Sequence, residues 1–230
     1  MQKVYCKTLL EIACFSVESC IKAQEFGADR IEFCTRYDLG GITPSEEDII
    51  RVKATLHIPL HVIIRPRGGN FFYTPDEIGV MKKDILFCKA QGVEGVVFGI
   101  LNDDHTINHA INKELLELSK PMSTTFHRAI DECVNSEDAF KKIIDLGFTR
   151  VLTSGNKSKA IEGLNQLKTL QNKFGNEIII IPGGGIRSSN IEEIILGTTC
   201  KEYHSAAIVD DTEQINISEL ISIKTKMTKL

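Results

Sequence analysis

The chain has 230 residues, 42% of them hydrophobic and 25% charged, which is enough to bury a full-sized core. Its formal net charge of -4 and the absence of any lysine/arginine-rich run argue against a nucleic-acid surface. No apolar run is long enough to span a bilayer, and Met1 to Lys7 lacks a signal-peptide core, so a cytoplasmic protein with no membrane partner is expected.

Along the chain, short β-branched runs alternate with amphipathic stretches. A strand near Leu9–Phe15 precedes a helical pattern over Val17–Phe26, and a strand near Arg30–Thr35 precedes one over Glu46–Leu56. Pro59–Arg67 leads to Asp76–Gln91, Gly95–Leu101 to Lys113–Ser119, and Met122–Arg128 to Ser136–Leu146. Arg150–Ser154 leads to Lys159–Phe174, Glu177–Pro182 to Ile191–Leu196, and Glu202–Ala206 to Ser218–Met227. Gly27, Gly92 and Gly147 stand where helices should end in the left-handed conformation before the next strand. Thr43-Pro44-Ser45-Glu46 and Thr74-Pro75-Asp76-Glu77 are helix starts. An open doubly wound sheet would carry a glycine-rich turn after strand one, but Phe15-Ser16-Val17-Glu18 stands there. The pattern therefore predicts a single closed (β/α)8 TIM barrel spanning the chain.

Ligands of such barrels bind at the C-terminal strand ends, so polar residues there are the candidates. Arg65 and Arg67 lie two apart near the end of strand three, which places both on one face of an extended strand. Buried guanidinium groups need carboxylates, phosphate or water, and Glu11 and Glu32 in strands one and two are the expected partners. That layer either fixes strand register or forms the charged floor of a pocket. His127 is the leading general acid/base candidate, with His204 second and Glu11 and Glu32 as supporting catalytic candidates. Alternation allows only one of His127 and Arg128 to face inward. Gly183, Gly184 and Gly185 after strand seven, with Ser154 and Gly155 after strand six and Ser205 after strand eight, are candidates for holding an anion. His61 reads as a core histidine, and Asp103-Asp104-His105 with His109 as a solvated loop. The seven cysteines lack CxxC spacing and read as reduced thiols, most of them in the core.

The motifs LEIACFSVES (Leu10–Ser19), GADRIEFC (Gly27–Cys34), GGITPS (Gly40–Ser45), IRPRGGNFFY (Ile64–Tyr73), TFHRAID (Thr125–Asp131), RVLTSG (Arg150–Gly155) and PGGGI (Pro182–Ile186) resemble the copper homeostasis protein CutC family, in order and at matching spacing. The resemblance implies a cytoplasmic (β/α)8 barrel, a homo-oligomer, and Cu(I) bound by cysteines of strands one and two. Thiolates suit that soft ion. Cys34 stands at the strand-two position. At the strand-one position this chain has Ala13, with its thiol one residue on at Cys14, where alternation turns it toward the helices. Two functions follow as expectations. One is Cu(I) handling through Cys34, with Cys14 as the second thiol. The other is a barrel enzyme or binding protein for a small phosphorylated or carboxylated molecule, held by Arg65, Arg67, Arg128 and the glycine loops.

Overall fold

The computed structural model describes residues 8–229. Cys6 and the rest of the N-terminal stretch lie outside the described residues. Strands β1 (Leu9–Cys14), β2 (Arg30–Phe33), β3 (Leu60–Ile63), β4 (Gly95–Phe98), β5 (Ser123–Phe126), β6 (Arg150–Thr153), β7 (Ile179–Pro182) and β8 (Glu202–Ser205) are all parallel, in the order β7-β6-β5-β4-β3-β2-β1-β8. Helices α1 (Val17–Glu25), α2 (Glu46–Thr55), α3 (Pro75–Ala90), α4 (His109–Ser119), α5 (Ser136–Leu146), α6 (Leu164–Phe174), α7 (Ile191–Thr198) and α8 (Ile217–Thr228) follow the strands in turn. The result is the expected (β/α)8 barrel, nearly closed. At the β7–β8 seam, Gly183 brings β7 against β8: a methyl group there would lie 3.3 Å from His204 Cβ and 2.4 Å from Leu152 Cδ1.

The helix ends follow from side-chain chemistry. Ser16, Ser45, Asn108, Asn135 and Asn216 each accept a first-turn amide, and Thr74 with Glu77 closes a reciprocal capping box beside Pro75. Gly27, Gly92 and Gly147 take positive φ as expected. Asn108 starts α4 four residues before the sequence pattern placed it. Conversely, α6 begins only at Leu164, because residues 156–163 turn over the barrel end and Ala160 donates to the Gly184 carbonyl. Among the described residues, no helix is long and apolar enough to cross a membrane.

Alternation along the strands divides the buried apolar residues into two sets. Leu10, Ile12, Cys14, Ile31, Phe33, Val62, Val96, Phe126, Val151 and Ile180 pack outward against the helices in one continuous core. Ala13, Cys34, Ile63, Val97, Leu152 and Ile181 are also buried but lie outside that core, on the opposite face. At the N-terminal end of this inner face the barrel is charged, and one position there is kept small. A methyl group at Gly95 would lie 2.4 Å from Cδ2 of the buried His61, its register partner. Gly95→Ala is therefore expected to destabilise the barrel by about 1–3 kcal/mol through overpacking. Urea denaturation measures this, and an unchanged midpoint would contradict it.

Candidate functional site

The charged floor pairs differently from the sequence expectation. Register sets Glu11 beside Arg30 on one side and His204 on the other. Arg30 is 2% exposed; its Nε donates to Glu11 and its Nη2 to Glu202 at 2.6 Å, while Arg150 Nε reaches the same Glu202 oxygen at 2.9 Å. Glu11 and Glu32 thus meet Arg30 and His204, not Arg65 and Arg67. The reason is that β3 ends at Ile63, so Arg65 and Arg67 lie in the loop beyond it and strand alternation does not govern them.

Those two arginines part company. Arg67 turns to the rim, where its Nε donates to Glu77 and its Nη groups to the carbonyls of Gly68, Asn70 and Phe72. Arg65 turns inward and is buried. Its Nη groups donate to the carbonyls of Leu39, Gly41 and Gly69, its guanidinium stacks 4.9 Å from the Phe71 ring centroid, and it interacts with the buried Tyr73 hydroxyl. Among the described residues it meets no carboxylate within salt-bridge distance. A buried cation without a carboxylate leaves positive charge beside whatever space it faces.

That space is a cavity of about 120 Å³ at the barrel mouth, whose walls include Ala13, Glu32, Cys34, Arg65, His127 and His204. Phe71, Leu152 and Arg128 complete much of the rest. A larger groove of about 380 Å³ lies away from these groups, between the loops after β3 and β4.

His204 Nδ1 sits 2.8 Å from Glu11 and 3.2 Å from Glu32. Burial opposes the charge on Glu11, yet Arg30, His204 and His61 hold its carboxyl well below the usual range. Burial, assisted by the charge on Glu11, pushes Glu32 up to about 7 against the pull of His204. His204 moves the other way: burial opposes its charge, but Glu32 and Glu11 raise its pKa above the ordinary value. The Glu32–His204 pair can therefore exchange a proton near neutrality. Glu11, Glu32 and His204 place donor atoms within 4.8 Å of one another, close enough to suit a cation by donor count. Arg30 already pairs with one oxygen of Glu11, however, and His204 Nδ1 lies within 2.8 Å of Glu11 and 3.2 Å of Glu32. The chemistry of the group is that of an ion-paired acid/base cluster.

His127, the leading acid/base candidate of the sequence, is seated as a buried ring at the barrel mouth. It lies just past β5, at the start of a short 3-10 turn over Arg128–Glu132, so both it and Arg128 reach the mouth. Its Nδ1 accepts from the Ala129 amide at 3.3 Å, which places the ring proton on Nε2, and that atom is buried without a partner. Burial and the charge of Arg65 push its pKa down to about 3. Gly99 gives the ring its seat, since a methyl group there would lie 2.9 Å from Nδ1.

These shifts carry a pH dependence. Folding keeps His127 and His61 neutral, at about 3 and about 4, whereas both take up protons in the unfolded chain below about 6.5. The unfolded state then binds more protons, so stability falls as pH drops. Glu32, at about 7 when folded against about 4.5 unfolded, acts in the opposite sense and cancels one histidine in that window. His204, raised by the two carboxylates, also opposes the histidine effect at the top of that window, so the net fall in stability appears as pH drops from about 6 toward about 5. His127→Gln should flatten the urea-derived stability between about pH 6 and about pH 5. An undiminished slope would show that His127 does titrate in the folded barrel.

Ser154, Gly155, Gly183 and Ser205 are engaged within the scaffold. Ser154 Oγ accepts from Arg128 and donates to Asp131, which also receives the Ser154 and Asn156 amides and the Thr153 hydroxyl. The Gly155 amide donates to Thr153 Oγ1, the Gly183 amide to the Thr153 carbonyl, and the Ser205 hydroxyl to the Ile186 carbonyl. Gly184 packs on Arg128 and Gly185 on Lys159, where methyl groups would come within 3.2 Å of each side chain. Arg128 itself is half-exposed and paired with Asp131.

The six described cysteines are all buried and free. Cys34 lines the cavity, while Cys14 packs in the outer core; a thiolate at Cys14 is disfavoured first by burial and then by the neighbouring Cys20. Burial and Glu32 likewise raise the Cys34 thiol well above its ordinary value. Among the described residues only one thiol therefore faces the mouth, and Ala13 leaves the second position without sulfur. Arg30, Arg150, Glu202, Asp131 and Phe71 are the participants that the sequence reading passed over. Arg30 was findable, because it stands two residues before Glu32 and so shares its face.

A family model described as the CutC family matches residues 8–209. A copper homeostasis protein cutC homolog of Homo sapiens is 43% identical over 199 residues, covering 86% of this chain and 73% of that protein. A family protein CutC of Parabacteroides distasonis is 43% identical over 202 residues, covering 87% and 83%. The crystal structure of a copper homeostasis protein CutC from Streptococcus agalactiae superposes with a TM-score of 0.83 at 30% identity, over 86% of this chain and 98% of that one. A phosphoribosylanthranilate isomerase from Thermotoga maritima shares the fold alone, with a TM-score of 0.67 at 13% identity over 97% and 100% of the two chains.

Proposed function

This chain belongs to the CutC family, and on that premise we propose that it serves copper homeostasis as a cytoplasmic protein whose barrel mouth binds a small anion and transfers a proton to or from it. The observation that carries this reading is Arg65, a buried cation on the cavity wall with three carbonyl partners and, among the described residues, no carboxylate partner. A copper carrier has no need of such a group, whereas a carboxylate or phosphate oxygen would complete it. The Glu32–His204 pair supplies the acid/base capacity beside it. The size of the cavity restricts the ligand to a few heavy atoms. Calorimetric titration of the purified protein with oxalate, acetate and inorganic phosphate near pH 7 tests the reading. Saturable binding of at least one is expected; no binding of any of them counts against it.

A second reading rests on the Cys34 thiol in the same cavity: direct Cu(I) binding by one sulfur, assisted by a neighbouring cavity residue. Cu(I) titration against a competing chelator decides it, with loss of affinity in Cys34→Ser expected and no change in Cys14→Ser. The family resemblance also carries the expectation of a homo-oligomer, which light scattering on the purified chain measures.

A further inference from the structure

We propose that His127 and Arg65 together form an oxyanion cradle, so that the ligand of this cavity is a small 2-oxo acid whose carbonyl oxygen takes up negative charge when the adjacent carbon loses a proton. The proposal rests on the anion-site reading above and names the substrate class of that site. Its basis is a buried donor beside a buried cation. His127 Nε2–H has no partner among the described residues, and Arg65, whose guanidinium interacts with the buried Tyr73 hydroxyl, lines the same cavity. The two lean on a single aromatic ring: His127 lies 4.7 Å from the Phe71 centroid and the Arg65 guanidinium 4.9 Å from it. The Ala129 amide fixes the tautomer, and Gly99 leaves room for the ring in that position. An unsatisfied imidazole donor and a guanidinium on one cavity wall are matched by a ligand with two neighbouring acceptor groups.

A neutral imidazole beside a guanidinium cannot act as a base and does not readily give up its proton. Its Nε2–H can donate a hydrogen bond that strengthens as charge develops on a carbonyl oxygen. Arg65 suits the carboxylate of the same molecule. The step balances without an oxidant or reductant. The Glu32 carboxylate takes a proton from the carbon next to the carbonyl, the C–H electron pair becomes the C=C bond, and the carbonyl π pair moves onto oxygen as the enolate. Return of the proton from Glu32 restores the carbonyl. His127 is thereby a catalytic residue that touches the reacting oxygen.

Two variants separate the roles of the histidine. His127→Asn retains an acceptor near the Nδ1 position for the Ala129 amide but loses the reach of Nε2, while His127→Gln retains a donor at that reach. The probes are oxalate, a planar mimic of the enolate, followed by calorimetry, and pyruvate in D2O, followed by loss of the methyl proton signal. The expected result has three parts: oxalate binding at least about tenfold weaker in His127→Asn, largely kept in His127→Gln, and exchange of pyruvate protons by the wild type above the buffer rate. Equal oxalate affinity in the wild type and His127→Asn would overturn the cradle while leaving the anion site standing. Oxalate binding with no exchange above buffer overturns the proton-transfer step. Failure of oxalate, acetate and phosphate alike to bind the wild type removes the anion-site reading itself.

Discussion

Arg30→Met is expected to lower the stability of the barrel by about 3–5 kcal/mol near pH 7, the largest effect of any single substitution considered. Arg30 is the only guanidinium in contact with Glu11 and one of two on Glu202 among the described residues, and its side chain is 2% exposed. Methionine fills much of the same volume, so the cost arises from the carboxylates it abandons. Glu11 would be a buried charge whose nearest remaining partners are His204 and His61. The loss should shrink as pH falls toward about 4.5, because a protonated Glu11 needs no counterion. In the wild type the same carboxyl is held well below the usual range, so its contribution is present above the unfolded pKa and lost only as pH falls through the lower folded value. Urea denaturation near pH 7 and near pH 5 measures both quantities. A deficit below about 1 kcal/mol, or one independent of pH, would mean that the network is screened as a surface pair would be.

Arg65→Met is expected to weaken binding of oxalate by about 30-fold or more, the effect of removing one partner of a buried charged hydrogen-bond pair, which costs about 2–5 kcal/mol. Arg65→Lys should recover only part of this, since an ammonium group cannot reproduce the fork that spans the Leu39, Gly41 and Gly69 carbonyls. The neighbouring Arg67→Lys should leave affinity nearly unchanged, because Arg67 faces Glu77 and the rim carbonyls and takes no part in the cavity wall. The two arginines of the RPR motif are thus separable by calorimetry. Equal losses from Arg65→Lys and Arg67→Lys would indicate that both act by ordering the loop.

The barrel was legible from the sequence because its signals are local. Glycine closes α5 at a φ of 92°, serine and threonine open α1, α2 and α3, and period-two alternation separates Cys14 from Cys34. The site was only partly legible, for reasons of distance along the chain. Pairing of Arg30 with Glu202 joins residues 172 apart, and nothing local in RIEF selects that partner. Alternation stops at the end of β3 and at the end of β5, where the chain is no longer extended, so Arg67 parts from Arg65 and Arg128 joins His127 at the mouth. The neutral state of His127 depends on burial beside Arg65, a property of the folded barrel that residue type alone does not reveal.

The charged layer also changes how copper relates to this chain. Ala13 and the outward-packed Cys14 leave Cys34 as the one thiol at the mouth among the described residues, beside Glu32, His204 and the Arg65 cation. On the function proposed above, that combination suits proton transfer on an anion better than a soft metal ion.

A crystal structure from crystals soaked in oxalate tests the central claim most directly. The account predicts oxalate inside the barrel mouth, with one carboxylate on Arg65 and an oxygen of the other on His127 Nε2. Oxalate confined to the outer surface, with Arg65 and His127 untouched and the cavity holding only water, would contradict it.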